Sequence, residues 1–173
     1  MRVAPLGAYF GDDLERCVAE ARASSFVTHT HPEGVAGTIA VAVAAAMAWR
    51  LKDTPKSDRP GQFFEEVLRL TPESQVRRKI LVANGTPASI TVEAVARELG
   101  CGELVTAQDT APFCIWVAAH HLDNFVEALA KTICVGGDCD TNAAIVGGIV
   151  ALSVGRDGIP ADWLSAGEPI HMS

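Results

Sequence analysis

The strongest constraint on the fold is an uncharged stretch at residues 34–49 that consists mainly of Ala, Val and Gly. Pro32 and Glu33 precede it, and both residue types favour the first turn of a helix, since proline needs no amide partner there and a carboxylate complements the helix dipole. We therefore expect a helix over about residues 33–51. A helix that is apolar on every side belongs inside a core, and this stretch is too short and too rich in Ala and Gly to predict a membrane span.

The remaining periodic stretches also have helical spacing. Residues 142–153 are small and apolar on every side, which predicts a second central helix. Shorter amphipathic helices are expected near residues 14–21, 63–70, 92–99 and 122–134, with two more that open at Pro72 and at Pro112. No convincing alternation of period two appears. We therefore predict an all-α fold, a compact helical bundle that forms a single domain over residues 1–173.

Composition narrows the functional classes. With 173 residues, 49% of them hydrophobic, the chain can bury a sizeable core. Its formal charge of -7 disfavours phosphate backbones and anionic membranes, so neither nucleic acid nor a membrane is expected as a partner. Five cysteines without a Cys-x-x-Cys pair, and no signal peptide at the start, favour a reducing cytoplasmic location.

The most informative motif is Gly-Gly-Asp-Cys-Asp-Thr at residues 136–141, which leads into the second apolar helix. Asp138, Asp140 and the Thr141 hydroxyl form an all-oxygen set, which is the ligand type that Mg²⁺ or Mn²⁺ accepts. Cys139 lies between the aspartates and is expected to be a bystander. A metal site of Asp138, Asp140 and Thr141 is therefore the leading hypothesis for this segment.

Three other interpretations of these aspartates can be compared with their spacing and position. A calcium loop that starts at Asp138 would need glycine where Ala143 stands and an acidic residue where Ile149 stands, so it fails. An aspartyl-phosphate phosphatase would place its Asp-x-Asp early in an α/β domain, not in the last quarter of the chain. The simplest alternative is that the aspartates only cap the following helix, although one cap needs one carboxylate.

Four blocks of the sequence resemble the ADP-ribosylglycohydrolase family in that family's order. They are residues 1–7 (Met-Arg-Val-Ala-Pro-Leu-Gly), 28–33 (Thr-His-Thr-His-Pro-Glu), 109–116 (Asp-Thr-Ala-Pro-Phe-Cys-Ile-Trp) and the Gly-Gly-Asp-Cys-Asp-Thr motif. The resemblance implies the all-α fold of that family and Mg²⁺-dependent cleavage of a glycosidic bond of ADP-ribose in ADP-ribosylated substrates. It implies that Thr28 and His29 line the ADP-ribose pocket, and that Asp138, Asp140 and Thr141 hold metal.

One departure from the family pattern affects catalysis. Family members carry, before the block that resembles residues 1–7, a segment with an early acidic residue and a Thr/Ser-Asp-Asp motif that supply the other half of a two-metal site. We therefore expect a family member truncated at its N-terminus, with a partial Mg²⁺ site, unassigned catalytic residues and negligible turnover unless Glu33 or Asp109 completes the site. The alternative is a non-catalytic pseudoenzyme or scaffold, and the resemblance extends to a crystallin with such a role.

The missing segment also predicts how the chain assembles. Its absence would leave apolar surface on the helices at residues 33–51 and 142–153, so a homodimer that buries this surface is predicted.

His31 has two open interpretations, a ligand contact and a polar cap. Zinc binding by His29 and His31 lacks a third ligand with suitable spacing. His120 and His121 are expected to form a satisfied surface or junction pair between two helices.

Overall fold

The computed structural model describes residues 1–166, and this part of the chain contains helices and no strand, which confirms the all-α prediction. The helices are α1 (Ala4–Tyr9), α2 (Leu14–Phe26), α3 (Pro32–Arg50), α4 (Arg59–Leu70), α5 (Gln75–Gly85), α6 (Val92–Leu99), α7 (Ala107–His120), α8 (Phe125–Ile133), α9 (Cys139–Val154) and α10 (Ala161–Ser165). A single 3₁₀ turn, Arg156–Gly158, joins the last two. The predicted domain extends to residue 173, and its final seven residues lie outside the described part.

Helix α3 is the centre of the bundle. Helices α1, α2, α4, α5, α7 and α9 all pack against it, and its residues are buried almost without interruption from Val35 to Ala48. Small residues make this packing possible: a Cβ atom at Gly7 would overlap the Ala42 carbonyl, so α1 and α3 touch through their backbones. The alanine-rich sequence therefore lets six helices approach one central helix.

The position of α3 corrects the reasoning behind the predicted homodimer. Its apolar surface from Val35 to Ala48 is covered almost entirely by helices of the same chain. Partly open apolar positions remain at Trp49 near the end of α3, which is 40% exposed, and on α9 at Ala144 and Leu152. The premise was wrong for α3 because it ignored how completely the other helices surround it.

The same helix has the length and composition of a membrane span, with 19 residues and a mean hydropathy of 1.3 over its most apolar window. The sequence argument that the apolar run is too short therefore does not hold for the helix as folded. Within the bundle, 72% of that window is buried, and core helices of globular proteins show the same composition.

Several helix boundaries differ from the sequence prediction. Helix α7 begins at Ala107, five residues before Pro112, which lies inside the helix. The loss of one amide hydrogen bond at this proline is tolerated because α7 is buried along nearly its whole length. Helix α5 begins after Ser74, whose side chain accepts a hydrogen bond from the Arg77 amide, and not at Pro72.

Candidate active-site cleft

A cleft of about 520 Å³ opens where the central helices meet the first residues of the chain. Val41 of α3, Ala111 of α7 and Ile145 of α9 contribute apolar surface to it. Hydroxyl groups are also frequent in its lining, from Ser24, Ser25, Thr28, Thr38, Thr106, Thr110 and Thr141. Its volume is in the range of ligand-binding pockets, and the mixture of apolar walls with a few polar groups is typical of them.

The acidic side of the cleft is the start of α9. Asp138 is the N-cap of this helix, and its carboxylate accepts a long hydrogen bond of 3.4 Å from the Thr141 amide. The Asp138 amide donates to the Cys101 carbonyl at 3.0 Å, and the buried Asn142 side chain donates to the same carbonyl at 2.7 Å. These bonds fix the Asp138 carboxylate at the cleft, where Thr141 also lies.

Two glycines allow this close packing. Gly137 has φ +72°, and a Cβ atom there would overlap the Cys101 carbonyl. Gly102 has φ +91°, and its Cβ atom would lie 2.6 Å from that of Asp138. Gly137 and Gly102 thus allow the backbone before Asp138 to contact the segment between α6 and α7.

The charge state of Asp138 suits a cation ligand. Hydrogen bonding with the Asp140 side chain, and secondly with Thr141, holds the pKa of the Asp138 carboxyl below its ordinary value. Asp140 is exposed and is not part of the cleft lining. The helix cap proposed as the simplest alternative is present, but it uses Asp138 alone and leaves the Asp140 carboxylate without a capping role.

The donors at the start of α9 fit a hard cation in kind, since two carboxylates and a hydroxyl are all oxygen ligands. They do not complete a site: residues 1–166 contain no cluster of three or more His, Cys, Asp or Glu side chains with metal-binding geometry. Mg²⁺ takes six ligands, so water or further groups would have to supply the others. The Cys139 thiol points towards the Ile133 carbonyl, with 3.8 Å between sulfur and oxygen, which supports its interpretation as a bystander.

A basic and polar group in the cleft lining, here called the basic side, consists of Arg2, Thr28 and His29. Arg2 donates to the Ser24 carbonyl at 3.1 Å and to the Thr28 hydroxyl at 3.2 Å. The same hydroxyl lies 2.8 Å from Nδ1 of His29. If Thr28 donates to Nδ1, the proton of the neutral imidazole is on Nε2, which becomes a donor for a ligand. Arg2, Thr28 and His29 all line the cleft.

Other candidates from the sequence have structural partners. His31 caps α3 by accepting a hydrogen bond from the Glu33 amide, and it is not part of the cleft lining. Glu33 accepts hydrogen bonds from the amides of Gln75 and Val76 and so caps α5. Asp109 is buried and accepts a hydrogen bond from the Leu104 amide. Neither Glu33 nor Asp109 lines the cleft, so neither completes the metal site there.

The surroundings of the histidine pair at the end of α7 are more apolar than we expected from the sequence. His120 packs edge-on against Trp116, with ring centroids 4.8 Å apart, and its buried Nε2 has no hydrogen-bond partner within residues 1–166. Burial, followed by the nearby His121, lowers the pKa of His120. The pair lies away from the cleft lining.

Sequence reasoning missed part of the cleft. Arg2 could not be placed from the sequence, because its role depends on contact with the end of α2. Val105 and Thr106 carry no recognisable motif, yet both line the cleft beside Asp138. The predicted residues Thr28, His29, Asp138 and Thr141 are brought together in the one cleft, whereas Asp140 stands next to it.

The chain is similar to a known protein family. A family model described as ADP-ribosylglycohydrolase matches residues 1–169. An uncharacterized protein of Archaeoglobus fulgidus is 35% identical over 168 residues, which covers 95% of this chain and 50% of the relative. The chain therefore spans about half the length of that relative.

Proposed function

The chain belongs to the ADP-ribosylglycohydrolase family, and on this premise we propose that its cleft binds the ADP-ribose part of ADP-ribosylated substrates. The observation that carries the proposal is the convergence of two distant sequence blocks: Thr28 and His29 lie in the same cleft as Asp138 and Thr141. ADP-ribose carries its pyrophosphate directly beside the terminal ribose, so its anionic group and its sugar hydroxyls match the basic and the acidic residues of the cleft.

The basic side suits the pyrophosphate. The Arg2 guanidinium has five N–H donors and carries a permanent positive charge, and it contacts the Thr28 hydroxyl beside His29. Phosphate oxygens accept paired hydrogen bonds from a guanidinium with good geometry. We assign Arg2 and His29 to the pyrophosphate of the ligand, with Thr28 as the residue that orients both side chains.

The acidic side suits the terminal ribose and a metal ion. Asp138, Asp140 and Thr141 would hold Mg²⁺ or Mn²⁺ through oxygen atoms, with water at the remaining positions. A bound metal ion would supply electrostatic stabilisation of charge at the ribose as the glycosidic bond breaks. The Asp138 carboxylate, whose pKa lies below the ordinary value, is ionised at neutral pH, as an aspartate of ordinary pKa would also be.

Catalysis by this chain alone is proposed to be negligible. The described residues offer two carboxylates at the site and no third acidic or histidine ligand in metal-binding geometry. This observation favours a second candidate function, a non-catalytic protein that binds ADP-ribose or acts as a scaffold, including self-association as a homodimer. All five cysteines are unpaired, which supports the proposed cytoplasmic location.

Titration of the ¹⁵N-labelled chain with ADP-ribose in the presence of Mg²⁺ tests the proposal. We expect chemical-shift changes at Thr28, His29 and residues 136–141, with a dissociation constant on the order of millimolar because Arg2 is the one side chain with a permanent positive charge among the described residues that line the cleft. Arg2→Gln should weaken binding by roughly tenfold, since a charge-assisted hydrogen bond is lost. Shifts confined to the basic face of α5 at residues 77–79 would show nonspecific anion binding and refute the proposal.

Activity is measured separately as release of ADP-ribose from a modified protein in excess Mg²⁺. Release at the background rate, together with specific ADP-ribose binding, is the expected result. Robust Mg²⁺-dependent release would refute the claim that this chain is incomplete for catalysis. It would leave the binding proposal intact.

A further inference from the structure

The segment just before α7 is held in an unfavourable conformation at the edge of the cleft. Val105 has φ +52° and is the only non-glycine residue within residues 1–166 with a positive φ. A β-branched residue is a genuine outlier in this region of backbone space. The next residue, Thr106, has a buried hydroxyl without a hydrogen-bond partner among the described residues and makes no side-chain cap for α7.

Contacts on both sides prevent the segment from relaxing. The Leu104 amide donates to the Asp109 carboxylate at 2.8 Å, and the Gly102 amide donates to the Asp109 carbonyl at 2.9 Å. Gly102 in turn packs against Asp138. The Val105 amide closes a turn by donating to the Gly102 carbonyl at 3.1 Å. The strained residue is therefore fixed relative to the start of α9 and the carboxylate of Asp138.

Packing within the chain does not account for the valine. The residue is 82% exposed, so its side chain gains little from burial, while glycine or asparagine would adopt the same backbone conformation with less strain. Val105 nevertheless lines the cleft with Asp138 and Thr141. Strained residues that persist without an internal benefit are often found where a ligand is held.

We propose that Val105 is a ligand-contacting residue whose apolar side chain covers the terminal ribose of ADP-ribose beside Asp138. This inference rests on the proposed function, because it takes ADP-ribose as the ligand and the Asp138 side as the ribose end. The short chain of contacts from Val105 through Gly102 to Asp138 connects the valine to the acidic side of the cleft. Burial of the valine against the ligand would offset its exposure and strain only when the cleft is filled.

The test compares ADP-ribose with ADP, which lacks the terminal ribose, in binding titrations of the parent chain and of Val105→Gly. Glycine tolerates the positive φ and removes the side chain, so the melting temperature should be unchanged or higher. We expect the affinity for ADP-ribose to fall by about fivefold, since part of a valine side chain is no longer buried, while the affinity for ADP stays unchanged. Val105→Asn, which also tolerates this conformation, should give the same pattern.

Ile90→Gly is the matched control, because it removes an exposed apolar side chain from a loop that does not line the cleft. This control should change neither affinity. Unchanged ADP-ribose affinity in both Val105 variants, or equal loss for ADP and ADP-ribose, would overturn the assignment of Val105. If the parent chain binds no ADP-ribose at Thr28, His29 and residues 136–141, the proposed function itself fails. The two failures are therefore distinguishable.

Discussion

The neighbouring glycines Gly136 and Gly137 provide a matched test of how the acidic side of the cleft is built. Both have a positive φ, +78° and +72°, so alanine at either position meets a similar backbone penalty. Their surroundings differ. A Cβ atom at Gly136 meets nothing within 4 Å, whereas at Gly137 it would overlap the Cys101 carbonyl and lie 2.7 Å from the Cys101 sulfur.

The magnitudes follow from this difference. An alanine in the left-handed region costs about 1–2 kcal/mol, and part of this is offset because alanine restricts the unfolded chain, so Gly136→Ala should cost about 1 kcal/mol. Gly137→Ala must also move the backbone away from Cys101 and weaken the bond between the Asp138 amide and the Cys101 carbonyl. With a typical hydrogen bond and local packing lost, the total should be about 3 kcal/mol.

Thermal and urea unfolding, followed by circular dichroism, measure both variants. A protein of this size shifts its melting temperature by roughly 2–4 °C per kcal/mol, so we expect a decrease of about 3 °C for Gly136→Ala and about 10 °C for Gly137→Ala. Mn²⁺ titration of the folded variants should show weaker binding for Gly137→Ala only, because that change displaces Asp138. Equal unfolding free energies for the two variants would refute the proposed contact with Cys101.

Three further predictions concern the metal, acid stability and assembly. Asp138→Asn should lower the Mn²⁺ affinity measured by calorimetry by at least about tenfold, because a charged ligand is lost. Cys139→Ser should leave this affinity unchanged. Equal heats for the parent and Asp138→Asn would show that this aspartate is not a ligand. His120 has a pKa lowered by burial, so the unfolded state takes up its proton first and stability should fall as the pH drops below about 6.5. His120→Phe should flatten this loss in urea unfolding from pH 7 to pH 5, and an unchanged slope would show that another group is responsible. Light scattering after size exclusion should show a homodimer, and a monomer at high concentration would contradict that proposal.

The fold class follows directly from the sequence. Helical periodicity is a local property, and two helices that are apolar on every side can only lie inside a bundle. The predicted helix over residues 33–51 corresponds to Pro32–Arg50, and the one over 142–153 lies within Cys139–Val154. The prediction failed at Pro112, because the burial that keeps this proline inside α7 comes from packing against helices distant in sequence.

The candidate site was only partly accessible to sequence reasoning. The motif at residues 136–141 identified a compact set of oxygen donors, because carboxylates and a hydroxyl adjacent in sequence at a helix start must be adjacent in space. Family resemblance also identified Thr28 and His29 as candidate residues of the ADP-ribose pocket. Their roles in binding metal and ADP-ribose remain proposals that the titrations above address.

Tertiary structure alone decided what surrounds those residues. Packing of α1 and α2 against α3 brings Arg2 to Thr28, and packing of the loop before α7 against Gly137 brings Val105 to the side of Asp138. It also buries α3 within its own chain, and it commits Glu33 to the cap of α5. Periodicity and motifs report on neighbours along the chain, whereas the shape of a cleft depends on contacts between segments tens of residues apart, and these form only when the core packs.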